Sequence, residues 1–213
     1  MKKLNEYNDY HELLNDLKEK YGIPKASYFT NNVNYRQRQS IKRGKEGLYL
    51  HHDFEDTAIM LSHPKFNIEN NYPFDWHEPE NLTYCNTLEH LMLHVLIATR
   101  KQGVVNDKLK QETGTGGAVN FIVPQINTYV SRAYQYKPQW LKTALSMFDD
   151  EKVVEQYYEC LEYLVKNYRG ILFTDKARLI SKLASPDLLV DFDEDKFSHF
   201  REYLKTRLSE QIE

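Results

Sequence analysis

The chain has 213 residues, of which 41% are hydrophobic and 28% charged, and its formal net charge is −3. This composition is typical of a globular protein with a buried core, and no apolar run approaches the roughly 20 residues that span a bilayer. Polar residues follow Lys2 and Lys3, so we expect no secretory signal, no membrane span and a cytoplasmic location.

The cysteines and the charge distribution narrow the functional classes further. Cys85 and Cys160 form no CxxC pattern, which excludes a disulfide framework and a cysteine-ligated zinc site. The negative net charge argues against non-specific coating of nucleic acid. Residues 1–50 nevertheless hold ten Lys/Arg against six Asp/Glu, a balance of +4 that leaves −7 for residues 51–213. We therefore expect any nucleic-acid contact to begin in the N-terminal quarter.

The first predicted element is a helix in DYHELLNDLKEKYG, which begins at the cap Asp9 and ends at Gly22 and Pro24. Residues 25–47 are polar and basic, and they predict a solvated loop or a short helix. An ordinary charged surface is one interpretation of this segment. The other is a nucleic-acid-binding segment, whose candidate phosphate contacts are Arg36, Arg38, Lys42, Arg43 and Lys45.

The next part of the chain predicts the order strand, strand, helix. Residues 47–52 (GLYLHH) and 81–85 (NLTYC) each indicate a short strand. The stretch NTLEHLMLHVLIATRKQG predicts a helix that is capped by Asn86 or Thr87 and ends at Gly103. The connection between the strands is rich in Pro, Asn and Asp, and its DTAIMLSHP stretch is compatible with a short helix.

The remaining chain is predicted to be helical. The cluster GTGG at 114–117 indicates a flexible turn, because it lacks the Lys-Ser/Thr ending of a phosphate-binding loop. Helices are predicted over DDEKVVEQYYECLEYLVKNYRG, 175–184 and 193–209. The expected fold is α+β and mainly α-helical, with a small ββα unit between helical segments. The predicted divisions are 1–46, 47–103 and 104–213.

Five residues carry the candidate chemistry. His90 and His94 are four apart on the predicted helix, so one face presents two imidazoles that can hold a metal ion. A packed apolar face is the alternative. The doublet His51-His52 ends the first strand, and Asn81 opens the second. Adjacent strand residues point to opposite faces, so the doublet offers one ligand and one base, and spacing alone leaves open which is which.

A histidine doublet followed by Asn81-X8-His90-X3-His94 resembles the HNH nuclease family, in the spacing of its nuclease-colicin branch. The resemblance covers less than a third of the chain and implies a ββα-metal unit. In that unit His51, His90 and His94 hold one divalent metal, His52 is the general base, and Asn81 holds the connecting loop and orients His52. It implies an endonuclease that hydrolyses DNA, with RNA left open. The metal is also left open among Zn, Mn, Ni and Mg.

Two features depart from the compact family pattern. The gap between His52 and Asn81 is 28 residues, and three acidic residues follow the doublet, namely Asp53, Glu55 and Asp56. Such acidity beside a phosphate site is unfavourable unless one carboxylate assists the metal or all of them point away. Two histidines of the gap, His63 and His77, are predicted to be exposed loop residues.

Two alternatives to the endonuclease remain. One is a non-cleaving nucleic-acid-binding or regulatory protein with a structural metal, which would close the fourth metal position with another protein ligand. The other is a helical interaction protein without metal, in which the histidines serve packing.

Overall fold

The computed structural model describes residues 2–33, 35–100, 105–106, 111–135 and 138–212. The helix end predicted at Gly103 lies outside these ranges. Helix α1 spans Tyr10–Tyr21 and begins as predicted, because Oδ1 of Asp9 accepts the N–H of Glu12 at 2.9 Å. It ends at Gly22, whose φ of 77° is readily adopted only by glycine. The basic segment after it is a loop with single 3-10 turns at Gln39–Ile41 and Gly44–Glu46.

The predicted strand, strand, helix order is confirmed. Strands β1 (Tyr49–His52) and β2 (Leu82–Cys85) pair antiparallel, with His51 opposite Thr83. Helix α3 (Thr87–Arg100) follows directly. Oδ1 of Asn86 accepts the N–H of Glu89 at 2.9 Å, and the Glu89 carboxylate accepts the N–H of Asn86 at 2.8 Å. This reciprocal capping box fixes where α3 starts, and with it the face that carries the two histidines.

The long connection between β1 and β2 contains a short helix, but not where the sequence predicted one. Helix α2 spans Pro64–Glu69, so the expectation of a helix over DTAIMLSHP was wrong. Proline fits the first turn of a helix but kinks or breaks a helix interior, and it favours an extended conformation in the residue before it. His63 has this conformation, with φ −103° and ψ 114°. The helix therefore begins at the proline.

The C-terminal part is helical, as predicted. A two-stranded ribbon pairs β3 (Val105–Asn106) with β4 (Gln111–Glu112). One continuous helical run follows, made of α4 (Thr115–Gly117), a π-helical turn (Ala118–Ile122) and α5 (Val123–Val130). The later helices are α6 (Gln139–Leu145), α7 (Glu151–Asn167), α8 (Lys176–Leu183) and α9 (Glu194–Ser209).

Helix α3 lies at the centre of the molecule and packs against α1, α7 and the π-helical turn. Side chains from all three predicted divisions meet in one core, for example Leu13, Leu93, Leu161 and Leu204, all fully buried. The fold is thus α+β and mainly α-helical, as expected. Among the described residues, none of the helices combines the length and apolar character needed to cross a bilayer.

Candidate metal centre

Four side chains from β1, from the turn after it and from α3 converge on one point. They are His51, Glu55, His90 and His94, and one potential ligand atom of each lies within 4.8 Å of the others. Oε2 of Glu55 is 3.6 Å from Nδ1 of His51 and 3.3 Å from Nε2 of His94. Two ligands of a tetrahedral zinc ion lie roughly 3.4 Å apart, because each is ~2.1 Å from the metal. These four side chains, called the metal cluster below, include the three predicted histidines. They can therefore hold a divalent metal ion.

The glycine cluster holds the ring of His94 in place. Nδ1 of His94 donates to the carbonyl of Gly114 at 3.1 Å, so the ring proton is on Nδ1 and the bare Nε2 faces Glu55. An ideal Cβ on Gly117 would lie 2.5 Å from Nδ1 and 2.9 Å from Nε2 of this ring. At Gly114 the φ is 71°, and a Cβ would lie 2.7 Å from the backbone oxygen of His94. The predicted flexible turn is therefore a place where α4 approaches α3 too closely for any side chain.

A tyrosine on α1, Tyr10, holds the ring of His51 in place in a similar way. Nε2 of His51 lies 2.5 Å from the hydroxyl of Tyr10, which is also 3.4 Å from the carbonyl of His52. When Tyr10 donates its proton to that carbonyl, its oxygen accepts the Nε2–H of His51 and leaves Nδ1 bare. Nδ1 of His51 is buried and has no hydrogen-bond partner among the described residues. A bare nitrogen opposite a hydrogen-bonded one is the usual state of a metal-binding histidine.

The cluster has the protonation state that metal binding needs. Burial lowers the pKa of His51 to about 4 and the pKa of His90 well below its ordinary value. Burial alone would raise the pKa of the Glu55 carboxyl, but His51, His52 and His94 together hold it well below its ordinary value. At neutral pH the rings of His51 and His90 are thus neutral and the Glu55 carboxylate is ionised, which are the states in which these groups bind a metal.

The two histidines of the doublet face different surroundings, as strand alternation predicts. His51 belongs to the cluster, whereas the ring of His52 packs on Tyr28 at 4.5 Å and on His77 at 5.1 Å between centroids. His52 is fully buried, and neither of its ring nitrogens has a hydrogen-bond partner among the described residues. Its Nδ1 lies 3.8 Å from Oε1 of Glu55. His52 therefore borders the metal cluster through Glu55.

Asn81 ties the two ends of the long connection together. Its backbone carbonyl accepts the N–H of Asp53 at 3.0 Å, directly after the histidine doublet. Its side-chain amide donates to the carbonyl of Asp75 at 2.7 Å. Lys18 of α1 reinforces this closure, because its ammonium donates both to Asp53 and to the carbonyl of Glu80, each at 2.5 Å. The end of β1 is thereby held from both sides.

The acidic residues after the doublet have separate roles, a question that the sequence left open. Glu55 belongs to the metal cluster, while Asp53 pairs with Lys18 and Asp56 is buried outside the cluster. The family pattern did not identify Glu55 as a ligand. The available signal was its position four residues after His51, in a turn that leads back from the strand.

His77 is buried, so the prediction that it is an exposed loop histidine was wrong. Its Nε2 is 2.8 Å from Oδ1 of Asn67, and its ring packs edge-on against Phe29 at 4.7 Å. Burial lowers the pKa of His77 to about 3. The polar composition of the loop did not reveal that it folds back over aromatic residues. His63 is exposed, as predicted.

A cavity of about 630 Å³ opens beside the metal cluster. Glu55, His90 and His94 form part of its wall, and most of the remaining wall is apolar. The doublet does not line it, but Tyr28 does, and Tyr28 also packs against His52. A ligand in this cavity can therefore contact the metal cluster directly, whereas His52 is fully buried against the ring of Tyr28.

The structure separates the predicted phosphate contacts into two groups. Lys42 and Arg43 line the cavity. The guanidinium of Arg43 is already engaged, because it pairs with Glu46 and donates to the carbonyl of Tyr21 at 2.9 Å. The predicted contacts outside the cavity wall are Arg36, Arg38 and Lys45.

No protein-family model, curated protein or solved structure matches this chain. The resemblance to HNH nucleases therefore rests on the histidines, on Asn81 and on the ββα order. Nuclease activity and nucleic acid as a partner remain predictions.

Proposed function

We propose that the chain is a metal-dependent endonuclease of the HNH type that hydrolyses phosphodiester bonds of DNA, with RNA as a second substrate to test. One observation carries this proposal. Three histidines and the Glu55 carboxylate converge on one point in a ββα unit, the buried Nδ1 of His51 has no hydrogen-bond partner among the described residues, and part of this cluster forms the wall of an open cavity. When bound, the metal would polarise the phosphate and stabilise the leaving oxygen.

In this proposal the three histidines of the metal cluster and His52 have different roles. His51, His90 and His94 hold the metal through neutral rings. His52 accepts the proton of the attacking water, a task suited to an imidazole. Its place beside Glu55, 3.8 Å from the carboxylate, supports this role. Because His52 is fully buried and Tyr28 packs on it, this role requires a movement that admits water to the ring.

We propose that the basic segment binds the phosphate backbone of the nucleic acid. The support is that Lys42 and Arg43 lie on the cavity edge beside the metal cluster. Neutralising Arg36, Arg38, Lys42 and Arg43 is expected to weaken DNA binding. The salt dependence of binding should fall by about one slope unit for each phosphate that is no longer neutralised. An unaltered salt slope would show that DNA approaches by another face.

One observation favours a second candidate, a non-cleaving nucleic-acid-binding protein with a structural metal. Glu55 can supply a fourth protein ligand, and four protein ligands are typical of structural zinc sites. His52, the proposed base, does not line the cavity. In this candidate the metal stabilises the packing of β1 against α3.

Nicking of supercoiled plasmid with added Mg²⁺, Mn²⁺, Ni²⁺ or Zn²⁺, together with metal analysis, distinguishes the candidates. The endonuclease is expected to nick with at least one metal, and Glu55→Gln is expected to keep the metal on the three histidines and to keep nicking. A structural site is expected to give no nicking, and its metal content should fall in Glu55→Gln. His63→Ala, which changes an exposed histidine outside the cluster, is the control. Unchanged metal content in the His90→Ala, His94→Ala double variant would refute both.

A further inference from the structure

The cavity beside the metal cluster is larger and more apolar than one phosphate group requires. Its volume of about 630 Å³ is within the range of ligand pockets, roughly 300–1,000 Å³. Beyond the wall formed by Glu55, His90 and His94, its lining is mainly aliphatic and aromatic, with Lys42, Gln111 and Glu112 among the polar residues. A phosphodiester at the metal would therefore have its neighbouring nucleotide beside an apolar surface.

Two aromatic rings at this cavity are exposed to solvent. Trp140, on the first turn of α6, is 53% exposed, and Phe121, in the π-helical turn, is 44% exposed. The π-helical turn has a local cause, because Pro124 cannot donate a backbone hydrogen bond and its ring crowds the preceding helical turn. Such π turns occur frequently at functional sites. Exposed aromatic faces beside a phosphodiester site are suited to stacking of nucleobases.

The cavity edge also carries a positive charge that is not paired with any described residue. The structure gives the exposed Lys42 no ion pair and no side-chain hydrogen bond among the described residues, whereas Arg43 beside it is paired with Glu46. An ammonium group at the edge of an aromatic pocket complements a phosphate attached to a base. The charge and the apolar wall together match a nucleotide better than a neutral apolar ligand.

We infer that this cavity binds one unpaired nucleotide of a single-stranded nucleic acid, its base stacked on Trp140 or Phe121 and its phosphate near Lys42. A base within a duplex offers its faces to its stacked neighbours, so only an unpaired or displaced base can stack on these rings. The inference deepens the proposed endonuclease function and rests on it for the position of the phosphate. It makes single-stranded or locally unpaired nucleic acid the substrate class.

The test is binding of the metal-loaded protein to a short fluorescein-labelled oligothymidylate and to a labelled duplex of the same length. We expect the single strand to bind more tightly than the duplex. At least one of the variants Trp140→Ala and Phe121→Ala is expected to weaken single-strand binding by about 5- to 100-fold and to leave duplex binding unchanged, which identifies the ring on which the base stacks. Lys42→Gln is expected to lower the salt slope by about 0.7. Leu189→Ala is the matched control, because Leu189 is 88% exposed and does not line the cavity.

Equal binding of both probes, or single-strand affinity unchanged in both aromatic variants, would overturn the inference. Having two separate ring variants guards against misfolding of either one. The outcome is distinguishable from failure of the proposed function. Plasmid nicking without a single-strand preference would reject the base site alone, whereas ring-dependent single-strand binding without nicking would support the base site and reject the nuclease.

Discussion

Replacing Gly117 with alanine tests whether His94 is a ligand and whether the glycine cluster orients it. The backbone of Gly117 has φ −63° and ψ −46°, an ordinary helical conformation, and alanine stabilises a helix interior by about 1 kcal/mol relative to glycine. Local conformation alone therefore predicts a more stable protein. The Cβ, however, would overlap the ring of His94, with 2.5 Å to Nδ1 and 2.9 Å to Nε2.

This overlap leaves the molecule two responses, and both act against the metal site. If the His94 ring rotates away, it gives up the hydrogen bond to Gly114, worth about 0.5–1.5 kcal/mol, and moves Nε2 off the metal position. If α4 shifts instead, the overpacking costs about 1–3 kcal/mol. We expect the unfolding free energy of the metal-free protein to change by about 2 kcal/mol or less, because the helix gain offsets part of this cost. Metal affinity is expected to fall by at least about 10- to 100-fold.

The assays are isothermal titration with Zn²⁺ and thermal unfolding with and without the metal. Because ligand binding stabilises only the folded state, a weaker site gives a smaller rise in Tm on metal addition. Gly44→Ala is the control, since Gly44 also lines the cavity but its Cβ would meet nothing within 4 Å. A Gly117→Ala protein that is more stable and binds the metal as tightly as the original would refute the role of His94.

Three neighbouring side chains give further predictions. The pKa of buried His77 is about 3 in the folded protein, against about 6.5 when unfolded, so the unfolded chain binds a proton first as the pH falls. The free energy of unfolding should therefore decrease from pH 6.5 towards pH 3, by about 2 kcal/mol at pH 5. In urea unfolding experiments, the His77→Phe variant should not show this contribution to the pH dependence. Tyr10→Phe, which removes the hydroxyl beside His51, should lower metal affinity by about 10- to 100-fold in titration calorimetry; unchanged affinity would contradict the proposed tautomer. His52→Ala should keep the metal but lower the nicking rate by about 10²–10⁴, whereas His51→Ala should lower both metal content and nicking; the reverse pattern would exchange their roles.

The parts of the site that were predictable are those encoded within a few residues of each other. The i, i+4 spacing of His90 and His94 and the Asn86–Glu89 cap act within one helix, so their geometry follows from helical periodicity. The separation of His51 from His52 follows from strand alternation in the same way. Composition also predicted a loop or a short helix for the basic segment, which is a loop with two single 3-10 turns.

Predictions failed or were incomplete where the chain folds back on itself over a long distance. His77 was expected at the surface, because nothing in its neighbours along the chain shows that Phe29 packs against it. The glycine cluster indicated only a turn, because its tight contact with His94 joins residues that are 20 positions apart. A composition rule describes average exposure and carries no information about such pairings.

The sequence by itself determined the mainly helical fold, the ββα order and three of the four groups of the metal cluster. Only the tertiary structure decided that Glu55 completes the cluster, that Tyr10 leaves a nitrogen of His51 bare, and that His52 lies outside the cavity. The physical reason is that periodicity and capping depend on local backbone geometry. The surroundings of a ligand depend on contacts such as that between Tyr10 and His51, which are 41 residues apart and meet only when α1 packs against the two-stranded sheet of β1 and β2.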